Sequence, residues 1–527
     1  MARPGWLLAL AIAGLAATLA TACSGNGCSA DSPETTGSVI VVARARDVTT
    51  LDPGKATDAD SADVLSQIYE TLVRYSPDGF EVQPGLAESW SKSDDLRTWT
   101  FRLRKNVRFH DGTPLDADAV VFSFRRQSRK GPDQSQFEYW NSTFAETIER
   151  VEKIDDLTVR FHLSRPFAPF LASLALFPVS VVSPSAVREL GERFAQEPVG
   201  TGPFRFVSWD RSAGRITLRR FEEYWGRKAR AEKLVFRRIG DSRQRILALE
   251  SGAAQIVRNV DPGALQMVRL HPDLRASVTR GNTVAYMAMN TTKPPFDDPR
   301  ARRAVNYAVR TRAVVKLVFQ GLAEPAIGPV PPVLSWAFNQ KVRTYHRDPA
   351  RARKLLKQAG YVDDPTQRPT LYVMETPRPY LARPILAARM IARDLESVGM
   401  PIRLVVLPFK RQTESIIRGD HHLALYGWVG DNGDPDNFVT TLLGPQRTFN
   451  IAFWKHEEFT RLIRLAGTAR KRSARARYYK KAQEIVAEQA PWVPLAHTKM
   501  VVALRRELVG FRLGPSSILH LKNVEIR

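Results

Sequence analysis

Hydrophobic and polar positions follow two different periods along this chain, and the period switches every few tens of residues. "SVIVVARA", beginning at Ser38, is a continuous apolar run, which predicts a strand covered on both faces. A turn-rich stretch then feeds a segment in which Val64, Ile68, Leu72 and their apolar neighbours recur at three- and four-residue steps, predicting a helix. Trp99, Phe101 and Leu103 alternate with Thr100, Arg102 and Arg104, the pattern of a half-buried strand. "HDG" (His110–Gly112) marks a turn, and Asp116 is placed to cap the helix "ADAVVFSF". "PVGTGPFRFVSWD" (Pro198–Asp210), "RRFEEYWG" and "KLVFRRI" read as strands broken by glycine turns. From Tyr286 to Gly321 a strand passes a proline-rich turn into an amphipathic helix with Val305, Ala308 and Val309 on one face. Beyond it the helical segments "ARARKLLKQAG" and "PILAARMIARDLESVGM" alternate with the strands "PTLYVME" and "PIRLVVLP". That alternation is an α/β rhythm, and no internal repeat accompanies it.

The first residues follow neither period. Arg3 precedes "WLLALAIAGLAATLA", which is apolar but short for a bilayer span, and small residues lead from there into "ATAC", ending at Cys23. Positive start, apolar middle and small-residue exit are the parts of an export signal. "LATAC" resembles the lipobox of bacterial lipoproteins, with Cys23 at the acylated position; it departs from that pattern at Ala20, with Leu19 one position early. The other reading is an ordinary cleavage site near Ala22. The polar, Gly/Ser-rich "SGNGCSADSPETTGS" that follows suits a flexible tether. The chain's two cysteines, Cys23 and Cys28, both lie here, so the body holds neither a disulfide nor a thiol nucleophile. No later segment reads as membrane-spanning; "FLASLALFPVSVVSP" (Phe170–Pro184) is too short and contains Pro178.

Length and charge sharpen the class. At 527 residues the chain exceeds one core, and roughly 150 residues per domain gives about three lobes. Apolar content of 43% and charged content of 25% suit a folded chain, not a long disordered one. The formal net charge of +24 would fit nucleic acid, but Lys and Arg are scattered and no nucleic-acid-binding consensus accompanies them. Attraction to anionic lipid, or a biased composition, explains it better.

Catalytic constellations are missing: there is no G-x-S-x-G, H-E-x-x-H or P-loop. "GTGPF" places Arg205 where a dinucleotide fingerprint needs its third glycine. His421 and His422 are adjacent, so on a strand they would point apart, and they read as a solvated turn after Gly419 rather than a metal site. The acidic cluster "YGWVGDNGDPDNF" (Tyr426–Phe438) fails the spacing of a calcium loop. Read forward, Asp434 is placed as an N-cap, Pro435 at the first helical position and Asp436 in the first turn. Asp431 has no such structural task. It follows the strand "LALYGWV" in a glycine turn, where a ligand can approach the backbone.

Taken in order, "PGLAESWSKSDDLRTWTFRLRKNVRFHDG", "GTGPF", "YWG", "NTTKPPFDDPRARRAVNYAV", "RPY" and "GWVGDNGDPDNF" closely resemble the peptide-binding proteins of bacterial ABC importers, solute-binding protein family 5. The likeness runs through nearly all of the chain after the leader, to "PWVPLAHTKMVVALRRELVGF". It implies an α/β, three-lobed periplasmic binding protein-like (type II, peptide-binding) fold with the ligand cleft between lobes. Lobe I would comprise 38–70, 200–282 and 495–527, lobe II 71–199 and lobe III 283–494, behind a signal peptide (1–22) and a lipid-anchored tether (23–37).

By the same resemblance, Asp431 would hold the α-ammonium of a short peptide and Arg378, from the R-P-Y motif, its α-carboxylate. A zwitterion drawn into a drier cleft needs both charges matched, and arginine grips a carboxylate with two parallel hydrogen bonds. Trp428 and Tyr380 would be cleft walls or, equally, core aromatics. The family's strict dipeptide binders continue R-P-Y with N-P-N, whereas this chain reads "RPYLARP", which loosens the expected specificity. The implied protein is a monomeric, periplasmic or otherwise extracytoplasmic receptor, anchored to the membrane through Cys23. It would bind di- or tripeptides by cleft closure and pass them to a permease in the inner membrane. No cofactor, metal, nucleic acid or enzymatic activity is implied. The alternatives are the same fold binding haem, antimicrobial peptides or a metal chelate, and, from another class, an extracytoplasmic chaperone or enzyme.

Overall fold

The structure, a computed structural model, describes residues 39–128, 132–445, 448–516 and 518–527. The export segment, Cys23, Cys28 and the tether lie outside them. Among the described residues no helix is long and apolar enough to cross a membrane.

The strand Val39–Arg44 is parallel to Lys233–Arg238 on one side and Ile256–Val257 on the other. Its side chains alternate between two apolar clusters. Ile40 and Val42 join Leu65, Ile216, Leu234, Phe236 and Leu504 on one face, and Ala43 joins Ile246, Leu249, Val257 and Leu265 on the other. This two-sided cover is why the segment reads as an unbroken apolar run.

Residues between 72 and 181 fill a separate core around Trp99, Phe101, Phe124, Phe161 and Phe170. An antiparallel sheet of Ala87–Lys92, Thr98–Leu103, Thr158–Leu163 and Ile148–Asp155 backs it. Trp99, Phe101 and Leu103 face that core as their alternation predicts, and Asp116 Oδ1 accepts from the Ala119 amide at 2.9 Å to start the helix Ala117–Ser128.

The third core holds Tyr286, Met287, Val305, Leu371, Val373, Leu425 and Trp492. The ring of Tyr286 stacks on Trp492 with centroids 3.7 Å apart. Here the amphipathic helix ends at Ala308, and Val309 caps it in extended backbone, still buried. The first and third cores share one long element, the strand Trp492–Arg505. Its first half pairs with Thr283–Met289 and Ala323–Pro325, its second half with Leu274–Arg280 and Ile256–Val257.

Candidate functional site

Three parallel strands set the site. Thr370–Met374 lies between Arg403–Leu407 and Leu423–Val429 and runs in the same direction as both. In open α/β sheets the carboxyl ends of such strands face the crevice where ligands bind. The chain leaving the first strand carries Arg378, that leaving the second carries Phe409, and that leaving the third carries Asp431.

Arg378 sits in a tight turn. Its amide donates to the Leu381 carbonyl at 3.1 Å and its carbonyl accepts from the Leu381 amide at 2.9 Å, while the Leu381 side chain is buried in the third core. The guanidinium carbon lies 3.4 Å from the centroid of the Phe409 ring, and Phe409 stacks in turn on Tyr426. Arginine is suited to this posture because its planar cation rests on an aromatic face. The buried Nε has no hydrogen-bond partner, and among the described residues no carboxylate forms an ion pair with Arg378.

Asp431 is held from both sides. The Gly430 amide donates to the Asn282 carbonyl at 2.7 Å, and Asn282 Nδ2 donates back to the carbonyls of Gly430 and Asn432. Gly430 is required by this approach, since a Cβ there would lie 2.3 Å from Asn282 Nδ2. On the other side Asn437 acts as a bracket. Its Oδ1 accepts from the Asp431 amide at 2.9 Å and from Trp428 Nε1 at 2.8 Å, and its Nδ2 donates to Asp431 Oδ2 at 3.1 Å. Tyr139 Oη donates to Asp431 Oδ1 at 3.1 Å. Burial raises the Asp431 pKa above the ordinary aspartate value, and the bonds from Asn437 and Tyr139 pull it partly back. No cation pairs with it among the described residues, and a desolvated carboxylate without a counter-charge is costly to keep.

The other two carboxylates of the cluster behave differently. Asp434 is not primarily an N-cap. The helix runs Asp436–Leu443 with Pro435 before it, and Asp434 Oδ1 still accepts from the Asp436 amide at 3.0 Å. Its main partner is Arg475, whose guanidinium grips both carboxylate oxygens at 2.7 and 2.8 Å in a buried pair joined by Tyr479. Asp436 opens the helix as its position predicts and accepts from Thr440 Oγ1 at 2.6 Å. Burial first, and the Asp434 charge second, push its pKa up to about 6.

The loop between these aspartates rests on the second core's region. Gly433 N donates to Tyr75 Oη at 3.1 Å, Asn432 Nδ2 donates to Ser173 Oγ at 3.2 Å, and a Cβ on Gly433 would lie 2.2 Å from Phe80 Cβ. Together with Tyr139, these contacts place Asp431 at a seam between two separately cored parts of the chain.

Trp428 is half-buried, hydrogen-bonded to Asn437 and edge-on to Phe449 at 5.0 Å. Tyr380 is 7% exposed and packs over Gly427 and beside Tyr426 as a member of the third core. The expected solvated histidine turn is corrected. His421 is buried, its Nε2 bonded to the Ile451 carbonyl, and burial lowers its pKa to about 4. His422 turns elsewhere, to Thr370. Residue pattern alone gave no sign of Tyr139, Phe409 or Asn282. Asn437 lies inside the quoted motif and was readable as a second polar group there.

The model of the bacterial extracellular solute-binding proteins, family 5 (middle region), matches residues 81–450. The dipeptide-binding protein of Escherichia coli (strain K12) is 34% identical over 493 residues, covering 90% of this chain and 91% of that protein. Heme-binding protein A of Haemophilus influenzae is 33% identical over 468 residues, 85% of each chain. Among solved structures, HbpA2 from Haemophilus parasuis superposes with a TM-score of 0.87 at 29% identity, over 93% of this chain and all of that one. The fold is accordingly the three-lobed α/β architecture of periplasmic, type II peptide-binding proteins. The chain belongs to family 5 of the bacterial extracellular solute-binding proteins.

Proposed function

We propose that the protein is the extracytoplasmic receptor of an ABC importer, and that it binds short peptides of two or three residues between its lobes and delivers them to the permease. Asp431 would take the peptide's α-ammonium and Arg378 its α-carboxylate. One observation carries the reading: two opposite charges stand at the carboxyl ends of parallel strands, each oriented by neutral neighbours and neither paired with a counter-ion among the described residues. The likeness to a protein named for dipeptide binding supports it. Trp428 would line the cleft, with Tyr380 supporting it from the core. Lobe I is assigned to 38–70, 200–282 and 495–527, lobe II to 71–199 and lobe III to 283–494; separate cores favour three lobes, although Val182, Ala186 and Phe194 pack in the first core and Leu495 and Ala496 in the third. Cys23 would carry the lipid that anchors a periplasmic monomer behind the tether 23–37, and binding without catalysis would be its whole task.

A thermal-shift series with di-, tri- and tetrapeptides tests this, because a ligand bound only by the native state raises the melting temperature by mass action. A rise with di- or tripeptides that N-acetylation or C-amidation abolishes is expected. No shift with any of them at millimolar concentration would sink the reading. Haem is the second candidate, favoured by the likeness to Heme-binding protein A; "RPYLARP" in place of the dipeptide binders' R-P-Y-N-P-N only loosens the dipeptide expectation. A saturable absorbance change on haem titration, without a peptide shift, would select it.

A further inference from the structure

The edge of the sheet in the first core region carries charge that the cleft does not use. On the outward face of three adjacent strands, Arg205 stands directly opposite Arg219, and Arg215 directly opposite Arg237. All four are exposed, and none closes a salt bridge among the described residues. Asp210, across from Arg215, is engaged by Ser212 and the Ala213 amide. Like charges set opposite each other destabilise a sheet, so this face bears a cost that folding does not require. A cavity of about 570 Å³ lined by Arg237, Arg238 and Gln244 adjoins its end.

We propose that this face rests on an anionic lipid bilayer. The register decides for lipid over a protein partner. Val39, where the described chain begins, pairs with Lys233; Lys233 pairs with Arg219, and Arg219 with Arg205. One row of the sheet therefore leads from the end of the tether to the arginines, about 14 Å across three strand spacings. Sixteen positions separate Cys23 from Val39, and a chain of that length reaches on the order of 22 Å, so a lipid on Cys23 would keep this face within reach of the headgroups. The face also lacks the buried aromatic and aliphatic anchors that a protein interface concentrates at its centre. Its exposed large apolar residue is Val207, 53% exposed. The tether argument rests on the anchoring reading of Cys23, whereas the charge argument stands without it.

Gly37–Arg527 forms one compact unit that holds the four apolar clusters of the described residues, so this segment is the protein to test. Its co-sedimentation is measured with phosphatidylcholine vesicles, with and without phosphatidylglycerol, at low and at physiological salt. The variants are R205Q/R219Q, R215Q/R237Q and the four changes combined. The control is R312Q/R347Q/R389Q/R403Q, four exposed arginines elsewhere without ion pairs among the described residues. Binding should require phosphatidylglycerol and weaken with salt. It should fall about fivefold per arginine removed from the patch while the control set loses far less. The patch variants should also melt no lower than the parent, as relieved repulsion requires. Equal losses in both sets would reduce the effect to net charge and overturn the proposal, as would no binding to anionic vesicles. Unchanged vesicle binding with impaired permease association would overturn it in favour of a protein partner. Peptide-induced thermal shifts should be the same in all variants, so failure here is separable from failure of the peptide reading, and the mass of the mature N-terminus reports separately on Cys23.

Discussion

Replacing Asp431 with asparagine separates binding from stability more cleanly than any other single change. The carboxylate is oriented by Asn437 and Tyr139 and has no counter-ion among the described residues, so its charge is available to a ligand cation. Removing one member of a buried, hydrogen-bonded charge pair costs roughly 2–5 kcal/mol of binding, or about 30- to 5,000-fold in Kd. At a peptide concentration near 100 times the parent's Kd, binding stabilises by about 2.7 kcal/mol. For about 490 folded residues the unfolding entropy is near 1 kcal/mol per degree, so the parent's Tm should rise by about 3 °C. In D431N the same peptide stands at no more than a few times Kd, and the rise should fall below about 1 °C.

The unliganded variant should show the opposite sign. Because burial raises the folded-state pKa, ionising Asp431 opposes folding. Below the ordinary value of 3.8 the group is protonated in both states and costs nothing; the cost builds as pH rises past 3.8 toward the folded-state pKa and is complete above it. At pH 7, D431N should therefore melt no lower than the parent, and any advantage should vanish by pH 3.8. Calorimetry with and without peptide reads both effects. A variant that keeps affinity within a few-fold of the parent would refute the anchoring role, whatever its stability.

Other perturbations test the neighbouring contacts. R378A should weaken peptide binding by at least about tenfold, and R378K should restore little, because lysine lacks the planar fork and the stacking on Phe409; isothermal titration decides. R475M should lower stability by about 3–5 kcal/mol by leaving the Asp434 carboxylate buried without its partner, measured as the midpoint of urea unfolding. G433A should leave the folded cores intact but block the loop from seating on Phe80, because the new methyl would meet that side chain at 2.2 Å. Its peptide affinity should fall while small-angle scattering shows a more open particle than the parent.

The sequence carried the strands and helices well wherever one rule acted alone. Trp99, Phe101 and Leu103 needed only the strand period, and Asp116 only its place before a helix. It misjudged residues whose partners are far along the chain. Asp434 has the local signature of an N-cap and keeps a bond from the Asp436 amide, but its main partner is Arg475, forty-one residues later, in a buried bidentate ion pair. His421 lies two positions after Gly419 and reads as exposed; only the third core shows that its ring is enclosed and tied to Ile451. Tyr139 was invisible for the same reason, since its contact with Asp431 spans 292 positions.

Those long-range contacts also explain why the cluster of aspartates divides its labour. Asp434 is neutralised by Arg475, which fixes the loop's base to the third core. Asn432 and Gly433 tie the loop's tip to Ser173 and Tyr75, in the stretch that carries the second core, and to Phe80, which itself packs against the third. Asp431, between Asn282 and Asn437, is left oriented but not neutralised. Had a lysine or arginine paired with it, the loop would be more stable and the charge spent within the protein. Holding it with an amide and a phenol keeps the geometry and leaves the charge to a ligand. Because Tyr139 reaches it from the opposite region, a cation bound at Asp431 would change a contact between two parts of the molecule, and under the proposed role binding and closure would share one carboxylate.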